Sequence, residues 1–192
     1  MAWSLAAINP LDRSDWLLEN LLVFAAFGGF AYNYNYRHHS SNLRFSMASY
    51  WCFAVFLCLH LYGSHYTYAQ TPVGFWLQEA LGLSRNHYDR IVHFSFGVLL
   101  ALPFLELLQV KARLSGRWLK LLTLSAVLSC STFYELLEML AAFIVSPELG
   151  TAFLGAQGDE WDAQKDTGLA LVGAIVTMLI VGRSRGALEA RG

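Results

Sequence analysis

Several separated stretches of this chain place ionisable side chains inside or beside apolar sequence. Residues 157–166 read Q-G-D-E-W-D-A-Q-K-D and carry Asp159, Glu160, Asp162 and Asp166 between apolar runs at 134–145 and 167–181. If a helix begins at Asp159, then Asp159, Asp162 and Asp166 fall at i, i+3 and i+7 and share one face. Glu135 and Glu138, at i and i+3, lie within the preceding apolar run. Residues 85–93 read R-N-H-Y-D-R-I-V-H, in which Asp89 and His93 are i, i+4 and His87 lies one turn from Arg90. His60 ends another apolar run, and His65 follows it in G-S-H-Y-T-Y. Imidazole nitrogens with carboxylate oxygens suit zinc or another first-row divalent metal, and the same groups move protons near neutral pH.

Such residues are costly where they stand. A charged side chain at the middle of a membrane helix costs about 2.5–3.5 kcal/mol on insertion scales. Two adjacent carboxylates also repel, so one of Glu135 and Glu138 must be protonated, paired or metal-bound. The competing structural reading pairs them with Arg90 or a histidine merely to hold helices together. Asp159 could likewise cap a helix, with Asp162 favoured in its first turn by the helix dipole. Glu106 reads as a separate acid that snorkels or pairs with Lys111 or Arg113, and His38 and His39 as solvated residues beside arginines.

Composition identifies the surroundings. Only 14% of the 192 residues are charged and 56% are hydrophobic, against about 25% charged in soluble domains. With apolar runs of near membrane-spanning length, an all-α polytopic transmembrane helical bundle follows. A formal net charge of -1 offers no basic field for nucleic acid. Neither a Cys/His zinc spacing, a glycine-rich phosphate loop nor an internal repeat is present. Cys52, Cys58 and Cys130 lie in apolar runs and read as packed, reduced thiols. The N-terminal stretch lacks signal-peptide order, since Arg13 follows its short apolar segment.

The elements that must position the polar residues are five membrane helices, at about 16–34, 45–62, 91–108, 118–145 and 167–181, the last starting as early as Asp162. Thr71-Pro72 and Gly82 bound a short helix whose apolar residues suit an interfacial position. Pro103 predicts a kink in the third crossing, and Pro147 with Gly150 the end of the fourth. Residues 1–182 form one membrane domain and 183–192 a short cytoplasmic tail. The segments following crossings one, three and five hold nine of the thirteen basic residues. The positive-inside rule then places the N-terminus outside and the C-terminus in the cytoplasm. That topology gathers His60, His65, His87, His93, Arg90 and all the acids named above except Glu106 at the outer side, and leaves His38 and His39 on the opposite side.

The segments W-L-L-E-N at 16–20, G-S-H-Y-T-Y-A-Q-T-P at 63–72, R-N-H-Y-D-R-I-V-H-F at 85–94, F-Y-E-L-L-E at 133–138 and F-L-G-A-Q-G-D-E-W-D-A-Q-K-D at 153–166 resemble the YjdF-like bacterial inner-membrane proteins. This resemblance covers nearly the whole chain. It implies a bacterial plasma-membrane location and a helical bundle, and it implies no reaction. It also implies a further apolar helix upstream of Trp16, where this chain has fifteen residues. Glu135, Asp162, Asp166 and Gly173 are faintly similar to the pattern of VanZ-like membrane proteins.

Residue types and topology together point to a polar site, suited to a divalent metal, open to the outer leaflet. As an enzyme it would hydrolyse or transfer groups on a lipid or envelope-precursor substrate. Glu135, Glu138, His93 and Asp162 would hold the metal, His65 or Asp166 would move protons, and Arg90 would hold an anionic headgroup. His60, His87, Asp89 and Asp159 are further candidates. A proton-coupled transporter and a non-catalytic scaffold are the rival classes.

Overall fold

A computed structural model describes residues 2–36 and 44–189. Arg37, His38 and His39 lie outside the described residues. Among those described, the chain is helical and has no strand. The elements are α1 (Ala2–Ala6), α2 (Arg13–Tyr36), α3 (Met47–His65), α4 (Pro72–Leu81), α5 (Tyr88–Lys111), α6 (Gly116–Ile144), α7 (Pro147–Leu154) and α8 (Asp162–Glu189). α3, α5, α6 and the segment Asp162–Val181 of α8 are long and apolar enough to cross a membrane. They present large exposed side chains such as Trp51, Leu140, Phe143 and Leu179, as a lipid-facing surface requires. α2 is equally long but is not among these four; Asp15, Glu19 and Asn20 stand in its first turns.

Local chemistry sets the helix ends. Ser46 caps α3 by accepting the Ser49 N–H, and Ser46's own N–H donates to Glu106 Oε2 at 2.9 Å. Glu106 therefore ties the start of α3 to the last turns of α5. Pro72 opens α4 and Gly82 closes it in the left-handed region at φ +62, where a residue without Cβ is unstrained. Thr71 stands at the cap position, but its hydroxyl donates to Asn86 instead of to the helix. α5 passes through Pro103 as one helix. Pro147 does not simply end the helical sequence: Ser146 accepts the Leu149 N–H and starts α7. α8 continues through residues read as a tail.

The bundle is assembled on α5 and α8, which run parallel. A Cβ added to Gly97 would fall on the Ala170 carbonyl, and one added to Gly173 would fall on the Phe94 carbonyl. Only bare backbone permits this approach, the small-residue packing favoured between membrane helices. Thr177 Oγ1 donates across the same interface to the Val98 carbonyl at 2.6 Å. α6 closes the third side, and Ala101, Leu105, Leu119, Val127, Ala174 and Met178 form the apolar core of the trio. α3 lies antiparallel to α5 on its other flank. One end of the bundle thus collects the starts of α2, α5 and α8 and the ends of α3 and α6.

This packing makes a simple prediction. Gly97→Ala, which drives a methyl into backbone, should cost about 1–3 kcal/mol, read as a lower melting temperature in detergent. Gly168→Ala meets nothing within 4 Å and, inside a helix, should raise stability by about 0.5–1 kcal/mol. Equal melting temperatures for the two variants would contradict the close approach.

Candidate functional site

The loops that feed α5 and α8 are clamped together. Asn86 N–H donates to Gln157 Oε1 at 3.2 Å, and Gln157 Nε2 donates back to the Asn86 carbonyl at 2.9 Å. Asn86 also accepts the Tyr88 N–H and donates to the Thr71 carbonyl. Every polar group of this fully buried asparagine is occupied in fixing where α4, α5 and α8 meet. Beside it Arg85 donates to Asp162 Oδ1 at 2.6 Å and to the Ala156 carbonyl. Arg90 pairs with Asp159 and approaches Asp162 Oδ1 at 3.4 Å. Lys165 reaches Asp159 at 2.6 Å.

Asp159 precedes α8, which begins at Asp162, so Asp162 and Asp166 share a face at i, i+4 and Asp159 does not extend it. Asp159 accepts the Trp161 N–H and holds the entry turn. Lys165, that N–H and Arg90 keep its carboxyl well below the usual carboxylate range. His87, just before α5, is held below the ordinary imidazole value by burial and by Arg90 and Arg85, which favours its neutral form.

Three carboxylates meet across the parallel pair. One oxygen each from Asp89, Asp162 and Asp166 lies within 4.8 Å of the others. Asp166 is 1% exposed, and its Oδ1 has no hydrogen-bond partner. His93 stands one turn deeper than Asp89, its Nε2 3.6 Å from Asp89 Oδ1 and 3.3 Å from Glu135 Oε1. The approach to Glu135 is close but misaligned, leaving Oε1 buried without a hydrogen bond. On the other ring edge, His93 Nδ1 is 3.4 Å from Ser131 Oγ.

The carboxyl groups continue beyond this cluster. Glu138 is buried beside Glu135, Glu19 and Tyr134. Tyr134 donates its hydroxyl to Glu19 Oε2 at 2.9 Å. Asp15, one turn before Glu19, is 1% exposed, and neither of its carboxylate oxygens has a partner. Glu19 and Asn20 are both buried. Asn20 is held by the Trp3 indole and the Trp16 carbonyl. The i, i+4 spacing of Asp15 and Glu19 was the available signal. Arg85 carried none beyond its place in the R-N-H-Y-D-R stretch.

The structure thus brings Asp162, Asp166, Asp89, Arg90 and His93 together, with Glu135 alongside and Glu138 farther along. It does not bring His65 there. His65 Nδ1 donates to the Ala6 carbonyl at 2.9 Å, and the His65 carbonyl accepts the Leu11 N–H, so this residue anchors the N-terminal segment. His60 has both ring nitrogens engaged, Nε2 donating to the Glu19 carbonyl at 3.2 Å and Nδ1 accepting from the Tyr68 hydroxyl at 2.6 Å. That tautomer leaves it a fixed support for Tyr68.

Chemically, Asp89, Asp166, Glu135, Glu138, Glu19 and Asp15 have no arginine or lysine ion pair among the described residues. Burying that many acids requires protons or cations. The donor set around Asp166 is hard oxygen, which fits a magnesium, calcium or manganese ion better than zinc. Removing a partner should expose this balance. Arg85→Leu leaves Asp162 with only the longer Arg90 contact and should cost up to about 3–5 kcal/mol. Adding Asp162→Asn in the same chain should recover part of the lost melting temperature. An additive, unrecovered loss would mean the pair is not coupled.

Comparison with known proteins points to a membrane protein. Over 122 residues, 63% of this chain, the sequence is 43% identical to the inner membrane protein YjdF of Escherichia coli (strain K12). The match spans 58% of that relative's length. No solved structure matches. The family described as "Predicted membrane protein (DUF2238)" matches residues 1–186. The chain is therefore a membrane protein belonging to the DUF2238 family.

Proposed function

We propose that this protein binds a hard divalent cation between Asp89, Asp162 and Asp166 and uses the site for hydrolysis or group transfer on a lipid-linked, anionic substrate. One observation carries the reading: Asp166 Oδ1 is buried without a partner, and an oxygen of the same carboxylate lies within 4.8 Å of oxygens of two further carboxylates. Such an arrangement is stable when a cation supplies the missing partner. A bound cation would polarise a phosphoryl oxygen and acidify a coordinated water. His93, between Asp89 and Glu135, is placed to take up and return a proton. Arg85 and Arg90 each keep a buried Nε without a partner, and their guanidinium groups suit an anionic headgroup beside the carboxylates. The ligand set is thereby centred on Asp89, Asp162 and Asp166, with Glu135 and His93 flanking it and Glu138 farther off. The distribution of basic residues supports an outward-facing site.

The transporter reading has one observation in its favour, the run of acids from Asp15 through Glu19, Tyr134 and Glu138 to Glu135. That run stays at the end of the bundle where α5 and α8 begin. At the opposite end Glu106 is engaged with the start of α3, apart from that run. A laterally spread acidic belt fits a site better than a conduit.

Manganese binding tests the proposal. Purified protein in mild detergent should hold one Mn²⁺ per chain by elemental analysis, with an electron paramagnetic resonance signal distinct from the aqueous ion. Asp166→Asn and Asp89→Asn should each weaken binding by at least about 10-fold, while Glu138→Gln should weaken it less. No binding by the folded wild type, or equal binding by Asp166→Asn, would rule the site out.

A further inference from the structure

A cavity of about 280 Å³ opens beside the carboxylates, and it is shaped for a different kind of group. Its polar end is made by His60, Tyr68, Asp89, His93, Ser131 and Tyr134. Away from that end the walls are Phe56, Phe96 and Phe104, with the exposed Cys130 at the rim. Along α5 the lining runs from Asp89 through Val92, His93 and Phe96 to Phe104, one helix face. That face extends over roughly 22 Å of helix rise. The space is thus long, apolar over most of its length and polar at one end.

Its mouth is identified by the residues that both line it and lie on the protein surface. Leu22 of α2 is 41% exposed, and Phe133 and Leu137 of α6 are 61% and 42% exposed. The opening therefore faces sideways, between α2 and α6, at the level of spanning helices. Water is a poor occupant of such a tunnel, because its deep walls offer almost no hydrogen-bonding partners. The surrounding solvent on that side is hydrocarbon, and a hydrocarbon chain fills an apolar slot without desolvation cost.

We infer that this cavity is the binding site for the apolar chain of a bilayer lipid, entering between α2 and α6, with its headgroup held at the Asp89 end. The inference rests on the proposed lipid-linked substrate and specifies how that substrate is held. Asp89 carries the link between the two, since it both lines the cavity and belongs to the carboxylate triad. A molecule with its chain against Phe96 and Phe104 would bring its headgroup under Arg90 and His93. The Tyr68 hydroxyl on His60 keeps the polar end in place, from a turn in which Thr67 and Tyr68 both sit at positive φ, +53 and +47. A β-branched residue in the left-handed region is strained, so this turn is held there by its surroundings.

The test uses the full chain in vesicles of phosphatidylethanolamine and phosphatidylglycerol containing a phosphatidylglycerol whose acyl chain carries a diazirine. After illumination, labelled residues are mapped by mass spectrometry. Labelling should concentrate on Phe96 and Phe104, which face inward, above the level at lipid-facing Phe143. Cys130→Trp, which fills the slot from an exposed position, should lower labelling of Phe96 and Phe104 about 10-fold and leave Phe143 unchanged. Uniform labelling of outward faces in the wild type, with Phe96 and Phe104 unlabelled, would overturn the inference whether or not the variant folds. The same map is recorded with chelator and in Asp166→Asn. Retained cavity labelling alongside absent manganese binding would sink the cation proposal alone; the reverse pattern would sink the chain site alone.

Discussion

The structure depends on a shortage of positive charge. Eight carboxyl groups, Asp15, Glu19, Asp89, Glu135, Glu138, Asp159, Asp162 and Asp166, gather at one end of the bundle, and the ion-paired basic side chains among them are Arg85, Arg90 and Lys165. In water this would be unimportant. Between helices that face lipid, each uncompensated carboxylate raises the energy of the folded state, and neighbouring ones raise it together. The ion pairs neutralise Asp159 and Asp162 first, because these stand at the loop where the arginines arrive. Deeper acids are left to histidine, tyrosine and whatever cation the proposed site admits. A bundle selected only for packing would have little reason to keep Asp166 or Asp15 in those positions.

Placement of the acids is a consequence of backbone contact far from them. Gly97 and Gly173 let α5 and α8 touch, and this fixes the rotation of each helix about its axis. Asp89 lies two turns above Gly97, and Asp166 two turns above Gly173, so the contact that aligns the glycines also aligns the carboxylates. The Asn86–Gln157 clamp prevents the two helix starts from sliding apart. α6 and α3 stand farther from α5, and the space left between them is the apolar cavity. Close packing on one flank of α5 and loose packing on the other thus yield the charged and the apolar halves of one proposed binding region.

Much of this was legible in the sequence, for identifiable reasons. Apolar run length placed α3, α5, α6 and the spanning part of α8, and Thr71-Pro72 with Gly82 bounded α4. Helical spacing put Asp89 with His93 and Glu135 with Glu138 on shared faces. α7 was missed because Pro147 reads as a terminator although it also opens helices at the first position. Relative helix rotation was beyond any local pattern, so the carboxylate partners of Asp162 could not be chosen from spacing. His65 and His93 look equivalent in sequence; only the fold shows one bonded to Ala6 and the other beside Asp89. Nothing local to Glu19 showed that His60 of α3 would bond its carbonyl and Tyr134 of α6 its carboxylate.

A cation at the point where Asp89, Asp162 and Asp166 converge would offset the excess of buried acids. Anomalous scattering from manganese-loaded crystals measures this most directly. A peak within coordination distance of all three carboxylates is the expected result. A well-ordered structure in which that point carries no anomalous density, or in which the metal sits elsewhere, would contradict it.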